Sequence, residues 1–289
     1  MAISPSEKTV GVAGLGTMGA GIAEVCLRAG FNVRAYEPSE SLLHGGRASI
    51  EASLEKAVER GKATAQERDE ALARLLPTTS LADFADCHAV LEAVTEDLDV
   101  KTRLIAQFDE EIDADCLIAT NTSALSVTAI AGASARPERV VGLHFFNPAQ
   151  VLPLVEIVRT DLASDVAIER AQRLVEEMGK TPVHCVDTPG FIVNRILIPL
   201  LNDAVRALDE GAADPASIDA AMTLGTNWPI GPLALIDLIG IDVQVHASDA
   251  LWKAYRETRF APPPRLRRMI DAGHLGRKSG RGFFEYETR

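Results

Sequence analysis

A strand-like run, Thr9-Val-Gly-Val-Ala13, leads directly into Gly14-Leu15-Gly16-Thr17-Met18-Gly19, and a helical pattern follows from Met18 to Ala29. Few folds accept that order. Gly14 permits a tight turn, Gly16 lets a backbone approach a ligand closely, and Gly19 lets helix pack on strand. The start of the helix then presents N–H groups and the positive end of its dipole, which suits a pyrophosphate. A second strand, Phe31 to Tyr36, ends beside Glu37. An acid there accepts ribose hydroxyls and repels a 2′-phosphate. The pattern predicts NAD in preference to NADP, with Gly14, Leu15, Gly16, Thr17, Met18, Gly19 and Glu37 as cofactor-binding residues. A glycine-rich turn without a ligand is the competing reading, and the flanking strand, helix and acid weigh against it.

The alternation continues. Helical patterns cover Ser39 to Gly61 and Thr64 to Leu76, a hairpin-like insertion. Ala89 to Val94 and Cys116 to Thr120 read as strands around a helix at Val100 to Ile112. Val140 to Phe145, Leu152 to Val158 and Thr181 to Val186 are further strands, with a helix ending near Gly179. This spacing argues for an open, mostly parallel α/β sheet. After Asp187-Thr-Pro-Gly190 the character changes to helical runs: Phe191 to Glu210, Pro215 to Leu224, Pro232 to Ile239, Asp242 to Tyr255 and Pro264 to Ala272. The expected fold class is α/β, an N-terminal Rossmann-type doubly wound sheet followed by an all-helical C-terminal domain. The Pro-Gly pair marks the boundary near Val186 to Pro189, giving domains 1–187 and 188–289.

Charge narrows the partners. A net charge of −12 over 289 residues disfavours a bulk nucleic-acid binder. No apolar run approaches membrane-spanning length, and Met1 to Lys8 lacks an apolar signal core. Cys26, Cys87, Cys116 and Cys185 match no zinc spacing, so no metal is expected, and they read as reduced thiols of a cytoplasmic protein. Beyond Ala261 the basic residues Arg265, Arg267, Arg268, Arg277, Lys278, Arg281 and Arg289 outnumber the acids. They form either an anion-binding patch or, as is commoner for charge clusters, a solvated face.

A second constellation carries the chemistry. His144 lies between the apolar run Val140 to Leu143 and the pair Phe145-Phe146, and Glu156 follows twelve residues later at the end of another apolar run. Two strands joined by a turn bring that carboxylate back to the imidazole. A carboxylate on one ring nitrogen selects the tautomer and leaves the other nitrogen to move a proton.

The chain resembles the 3-hydroxyacyl-CoA dehydrogenase family, of the short monofunctional 3-hydroxybutyryl-CoA type, over essentially its whole length. The motifs that carry the resemblance start with Gly14-Leu-Gly-Thr-Met-Gly19, Glu92-Ala-Val-Thr-Glu96-Asp-Leu-Asp-Val-Lys101 and Asn121-Thr-Ser123. They continue through His144-Phe-Phe-Asn147-Pro, Asp187-Thr-Pro-Gly-Phe-Ile-Val-Asn194-Arg195, Pro229-Ile-Gly-Pro232 and Gly276-Arg-Lys278-Ser-Gly-Arg-Gly282-Phe. Each is modest alone, and their order is specific. The resemblance implies reversible oxidation of an (S)-3-hydroxyacyl-CoA to the 3-oxoacyl-CoA in fatty acid metabolism. It implies His144 as the base, Glu156 as its partner, and Ser123 and Asn194 as catalytic polar groups on the substrate oxygen or thioester carbonyl. Glu96, Lys101, Ser123, Asn147 and Lys278 match cofactor-contacting positions, with Lys278 reaching back from the C-terminal segment. Asn194 lies past the boundary, so the expected active site is a cleft between domains.

Ser53 and Arg60, seven residues apart on one helical stretch, match coenzyme A contacts, as does Ser123, and Lys56 lies near the same face. Arg60 replaces the family's usual lysine, Ala124 a common serine, and Ala149-Gln150 a usual Val-Pro pair. Exposed amphipathic surface is an equal reading for the Ser53–Arg60 helix, and a solvated pair with Asp97 competes for Lys101. The apolar run Pro229 to Gly240 serves either a homodimer surface of the C-terminal domain or that domain's own core, and the resemblance favours the homodimer. Two other functions fit the scaffold: a dehydrogenase of a free hydroxy acid such as a sugar acid, and a non-catalytic NAD-binding protein. The first does not need the Ser53–Arg60 stripe, and the second does not need His144, Glu156, Ser123 and Asn194 together.

Overall fold

The structure, a computed structural model, describes residues 8–287. The N-terminal stretch read above, up to residue 7, and Arg289 lie outside the described residues. Contacts divide the chain into two units, Met1–Thr188 and Pro189–Arg289.

In the first unit the strands are β1 (Thr9–Ala13), β2 (Asn32–Tyr36), β3 (Leu75–Thr78), β4 (Ala89–Glu92), β5 (Leu117–Thr120), β6 (Val140–Phe145), β7 (Leu154–Arg159) and β8 (Thr181–Val186). Between them run helices α1 (Thr17–Arg28), α2 (Glu40–Glu59), α3 (Ala65–Ala73), α4 (Leu98–Glu111), α5 (Val127–Ala131) and α6 (Asp165–Glu177). The eight strands form one sheet in the order β3-β2-β1-β4-β5-β6-β7-β8. Every pairing is parallel except β6 with β7.

The unbroken apolar runs follow from burial on both faces. Val10, Val12, Leu91, Leu117 and Ala119 share a core with Ile22 of α1, Ile50 of α2 and Val175 of α6. Their strand neighbours Ala13, Val90 and Ile118 join Phe84, Leu104 and Phe108 in a second core. Successive side chains on a strand point to opposite faces, so a covered parallel sheet needs apolar residues at both parities.

Helix starts differ in a way that bears on function. Ser39, Thr64, Asp97, Ser126 and Ser164 each accept a hydrogen bond from a first-turn backbone N–H of α2 to α6. Helix α1 starts after Gly16 with no side-chain cap and no acid in its first turn. Its N–H groups are therefore left to another partner.

One expected element is corrected. The helical pattern from Thr64 to Leu76 stops at Ala73, and Leu75–Thr78 instead forms edge strand β3 against β2. Tertiary pairing overrides local helix propensity here, because Leu75 and Thr78 are buried on the sheet. Pro77, which cannot donate to a ladder, is tolerated because the strand is at the edge.

The second unit comprises α7 (Val193–Asp209), α8 (Pro215–Thr226), α9 (Pro232–Ile239), α10 (Ile241–Tyr255) and α11 (Pro264–Asp271), around a core that includes Leu201, Val205, Leu233, Ile236, Val245 and Leu266. Asp237, 1% exposed, accepts from the backbone N–H groups of Phe283 and Phe284 and from the Tyr286 hydroxyl, pinning the C-terminal segment. A Cβ on Gly282 would lie 1.9 Å from Asp237 Oδ1, so this anchor demands glycine.

The apolar run Pro229 to Gly240 is divided: Leu233 and Ile236 are core, and Leu238 is 53% exposed. Much of the C-terminal basic cluster is paired with acids, Arg265 with Asp209, Arg267 with Asp249 and Lys278 with Asp242. That pairing fits the solvated-face reading. Among the described residues no helix is long and apolar enough to cross a membrane.

Candidate active site

His144 and Glu156 face each other in register across the antiparallel β6–β7 pair. His144 Nδ1 lies 2.6 Å from Glu156 Oε2, and Ser123 Oγ lies 3.0 Å from His144 Nε2. A carboxylate only accepts, so Nδ1 carries the hydrogen, and Nε2 presents a lone pair to which the Ser123 hydroxyl donates. His144 is 3% exposed and Glu156 is fully buried. The Phe146 ring packs on the imidazole with centroids 4.5 Å apart. The imidazole is thus oriented from one side, shielded, and open to hydrogen-bond exchange at the nitrogen beside Ser123.

A network of carboxylates positions Ser123. Glu96 Oε1 accepts from Thr122 Oγ1 at 2.5 Å, Ser123 N at 2.9 Å and Ala124 N at 3.2 Å. Burial pushes the Glu96 carboxyl up, but the Lys101 ammonium and these donors outweigh it and hold it below the usual glutamate range. Lys101 Nζ is 3.3 Å from Glu96 Oε2 and 2.7 Å from Glu92 Oε1. Glu92 also accepts from Thr120 Oγ1 and Val94 N.

The competing picture of Lys101 as a solvated partner of Asp97 is overturned. Its side chain is 1% exposed, and Asp97 caps α4 by accepting from Val100 N. On the far side, Asp187 accepts from Ser126 Oγ and from Val127 N and Thr128 N at the start of α5. Asn121 Oδ1 accepts from Phe145 N, tying the serine loop to the strand that bears His144.

Glu92, Asn121 and Asp187 escaped the candidate set. Glu92 had a signal: a carboxylate closing the apolar strand Ala89–Glu92 must find a buried cation, and Lys101 lies one helical turn into the next element. Asn121 and Asp187 sat in recognised motifs, but nothing in the spacing distinguishes a loop-holding amide or cap from a surface one.

The dinucleotide loop has the shape its glycines predict. Gly14 has φ +89°, and a Cβ there would lie 2.8 Å from the Ala93 and Val94 backbone. A Cβ on Gly19 would lie 1.7 Å from the Gly14 carbonyl oxygen, whereas Gly16 faces open space. Two glycines are therefore required by packing, and the third leaves room above the uncapped start of α1. Thr17 and Met18 form the first turn of that helix. Glu37 accepts a hydrogen bond from Leu15 N, so the acid at the end of β2 also shapes the loop. These features fit an NAD pyrophosphate and ribose.

The remaining candidates are dispersed. Ser53 lies in α2 and accepts from Gln150 Nε2 at 3.2 Å. Arg60 is the exposed residue just past the end of that helix, and Lys56 is exposed on it. Asn147 is exposed and precedes Pro148 through a cis peptide bond. In the second unit Asn194 is half-buried in the first turn of α7, and Lys278 lies in a short turn, paired with Asp242.

A pyrophosphate cradle and a carboxylate-oriented imidazole on one Rossmann-type sheet belong to the class of NAD-linked dehydrogenases. The family model for the 3-hydroxyacyl-CoA dehydrogenase NAD binding domain matches residues 9–188, and that for the C-terminal domain matches residues 190–286. The chain belongs to the 3-hydroxyacyl-CoA dehydrogenase family. It is 45% identical to a 3-hydroxybutyryl-CoA dehydrogenase of Mycobacterium tuberculosis, covering 98% of this chain and 100% of that one. It is 44% identical to a 3-hydroxyadipyl-CoA dehydrogenase of Escherichia coli over 97% of this chain and 59% of the relative. The crystal structure of (S)-3-hydroxybutyryl-CoA dehydrogenase from Ralstonia eutropha superposes with TM-score 0.92 at 40% identity, covering 97% of this chain and 99% of that one.

Proposed function

We propose that the protein interconverts an (S)-3-hydroxyacyl-CoA and the 3-oxoacyl-CoA with NAD, His144 moving the proton. The observation that carries this reading is the Ser123–His144–Glu156 chain of hydrogen bonds. Oxidation of a secondary alcohol removes a proton from oxygen and a hydride from carbon. Bound NAD supplies the hydride acceptor. His144 Nε2 takes the hydroxyl proton, and the resulting imidazolium is held by the Glu156 carboxylate. In the reverse direction the same nitrogen returns the proton to the forming alkoxide. With substrate bound, Ser123 turns its one hydroxyl hydrogen from Nε2 to the substrate oxygen, and Nε2 accepts from the substrate hydroxyl instead, so the serine marks where that oxygen sits. Glu96 and Lys101 act on the cofactor side by fixing the loop that carries Ser123.

Gly14, Leu15, Gly16, Thr17, Met18, Gly19 and Glu37 hold the dinucleotide, as supported by the uncapped α1 and the open face of Gly16. For Asn147, Asn194, Lys278 and Arg60 the support is family correspondence alone. By their names, two of the three relatives described act on a four-carbon acyl chain and one on a dicarboxylic chain, and we favour the short chain because the four-carbon enzymes match over essentially their full length.

The test is NADH oxidation by the purified protein with acetoacetyl-CoA, beside free acetoacetate and a His144→Ala variant. The expected result is turnover of the thioester alone, lost in the variant. Comparable turnover of free acetoacetate would move the assignment to a hydroxy-acid dehydrogenase. NADH binding without turnover of either would favour a non-catalytic role.

We further propose a cytoplasmic homodimer formed through the second unit. Exposed apolar residues there, Leu224 at 87%, Ile196 at 62% and Leu238 at 53%, support the dimer. All four cysteines are free thiols, which suits a reducing compartment. Sedimentation of the wild type and of Leu224→Lys tests the dimer. A monomeric wild type excludes it.

A further inference from the structure

We propose that Gln150 and Glu24 are specificity-determining residues that read the hydrogen-bond donors of the substrate's pantetheine arm. The inference rests on the acyl-CoA reading above. A cavity of about 460 Å³ in the first unit lies between α1 and α2, with Gly21 and Glu24 on one wall, Gly45, Ser49 and Ser53 on the other, and Gln150 at its edge. Leu15, Gly16, Thr17 and Glu37 of the dinucleotide site line the same cavity. The directions in which side chains would extend from Gly16 and Gly45 are open. The cavity is therefore free of side chains at these two positions, which leaves room for a ligand chain along the two helices.

Its polar atoms are placed for recognition. Gln150 Nε2 donates to Ser53 Oγ at 3.2 Å. A Cβ on Gly21 would lie 3.0 Å from Gln150 Oε1, so glycine there lets that oxygen sit against α1. The loop bearing Gln150 is held by Lys180, whose ammonium donates to Ala149 O at 2.7 Å and Leu152 O at 2.9 Å.

Glu24 follows Gly21 by three residues, on the same side of α1. It is 1% exposed, with Oε1 3.6 Å from Arg28 and with Oε2 buried and lacking any hydrogen-bond partner among the described residues. An unmet buried carboxylate oxygen is costly, and a ligand donor relieves that cost. A carboxylate accepts and repels anions, so this cavity selects amide N–H or hydroxyl groups rather than phosphates. The pantetheine arm offers two amides and a hydroxyl. A ribose of the dinucleotide also offers hydroxyls, which makes the KM for NADH the discriminating readout.

The experiment compares Gln150→Ala, Glu24→Leu and Glu24→Gln with the unaltered enzyme on acetoacetyl-CoA, acetoacetyl-pantetheine and acetoacetyl-N-acetylcysteamine, the last keeping only the first amide. Loss of one such hydrogen bond raises KM for the two long thioesters about tenfold in Gln150→Ala and Glu24→Leu. The kcat, the KM for NADH and the KM for the short thioester stay unchanged, and Glu24→Gln, which keeps an acceptor, recovers most of the loss. Equal KM changes on all three thioesters, a rise in the NADH KM, or no change at all would overturn the proposal. Absence of turnover by the unaltered enzyme would instead overturn the acyl-CoA reading on which it rests.

Discussion

Lys101 Nζ lies 2.7 Å from Glu92 Oε1 with both side chains out of contact with solvent, and the same ammonium reaches Glu96, which holds Ser123. A buried pair of this kind adds little over an apolar isostere, but breaking it strands a charge. Lys101→Met is therefore expected to cost about 3–5 kcal/mol of stability and to lower kcat as the Ser123 loop loosens. Glu92→Gln combined with Lys101→Met restores part of the stability. Denaturant unfolding of the two variants checks this, and a single variant as stable as the wild type would contradict it.

His144→Ala removes the group beside Ser123 and is expected to reduce kcat about 10²–10⁴-fold, with the KM for NADH little changed. Glu156→Gln leaves an amide that does not hold the imidazolium, so kcat falls while the fold persists. Steady-state kinetics with acetoacetyl-CoA decides the matter. Full activity in His144→Ala would remove it from proton transfer.

Glu37 accepts from Leu15 N, and under the proposed cofactor binding it meets the adenosine ribose. Glu37→Gln removes the charge from that acceptor, and the KM for NADH is expected to rise about tenfold or more. Discrimination against NADPH falls, because the repulsion of a 2′-phosphate is lost. Measuring kcat/KM for both cofactors tests this, and an unchanged ratio would show that Glu37 does not set cofactor choice.

Glu96 has a folded-state pKa below the ordinary glutamate value of about 4.3. Its stabilising contribution is therefore fully present above that value and is lost as pH falls through the lower, folded value. The difference in melting temperature between wild type and Glu96→Gln is expected to be constant from about pH 7 to 5 and to shrink below about pH 4. A difference that persists to lower pH would place the acid-sensitive group elsewhere.

Much of this protein was legible from short-range pattern. The glycine loop dictates a strand, a turn and a helix because no other residue fits φ +89° at Gly14 or the contact at Gly19. Apolar runs without alternation identify strands covered on both faces. His144 and Glu156 were legible as a pair because two strands and a short connection leave few registers that bury both. The ordered motifs also placed the chain in its family.

Other features depended on packing between segments far apart in sequence. Leu75–Thr78 continues a helical pattern locally, and only the open edge of β2 makes it a strand. Lys101 carries an ordinary helix-surface spacing, and only the position of Glu92 on the adjoining strand draws it inside. The basic C-terminal cluster leaves an anion site open beside the commoner solvated face until acids from other helices pair with it. Local sequence determines backbone geometry and periodicity through sterics and burial. Which charges meet, and which buried oxygen such as that of Glu24 is left without a partner, is decided by tertiary structure, because electrostatic pairing depends on distances that sequence separation does not set.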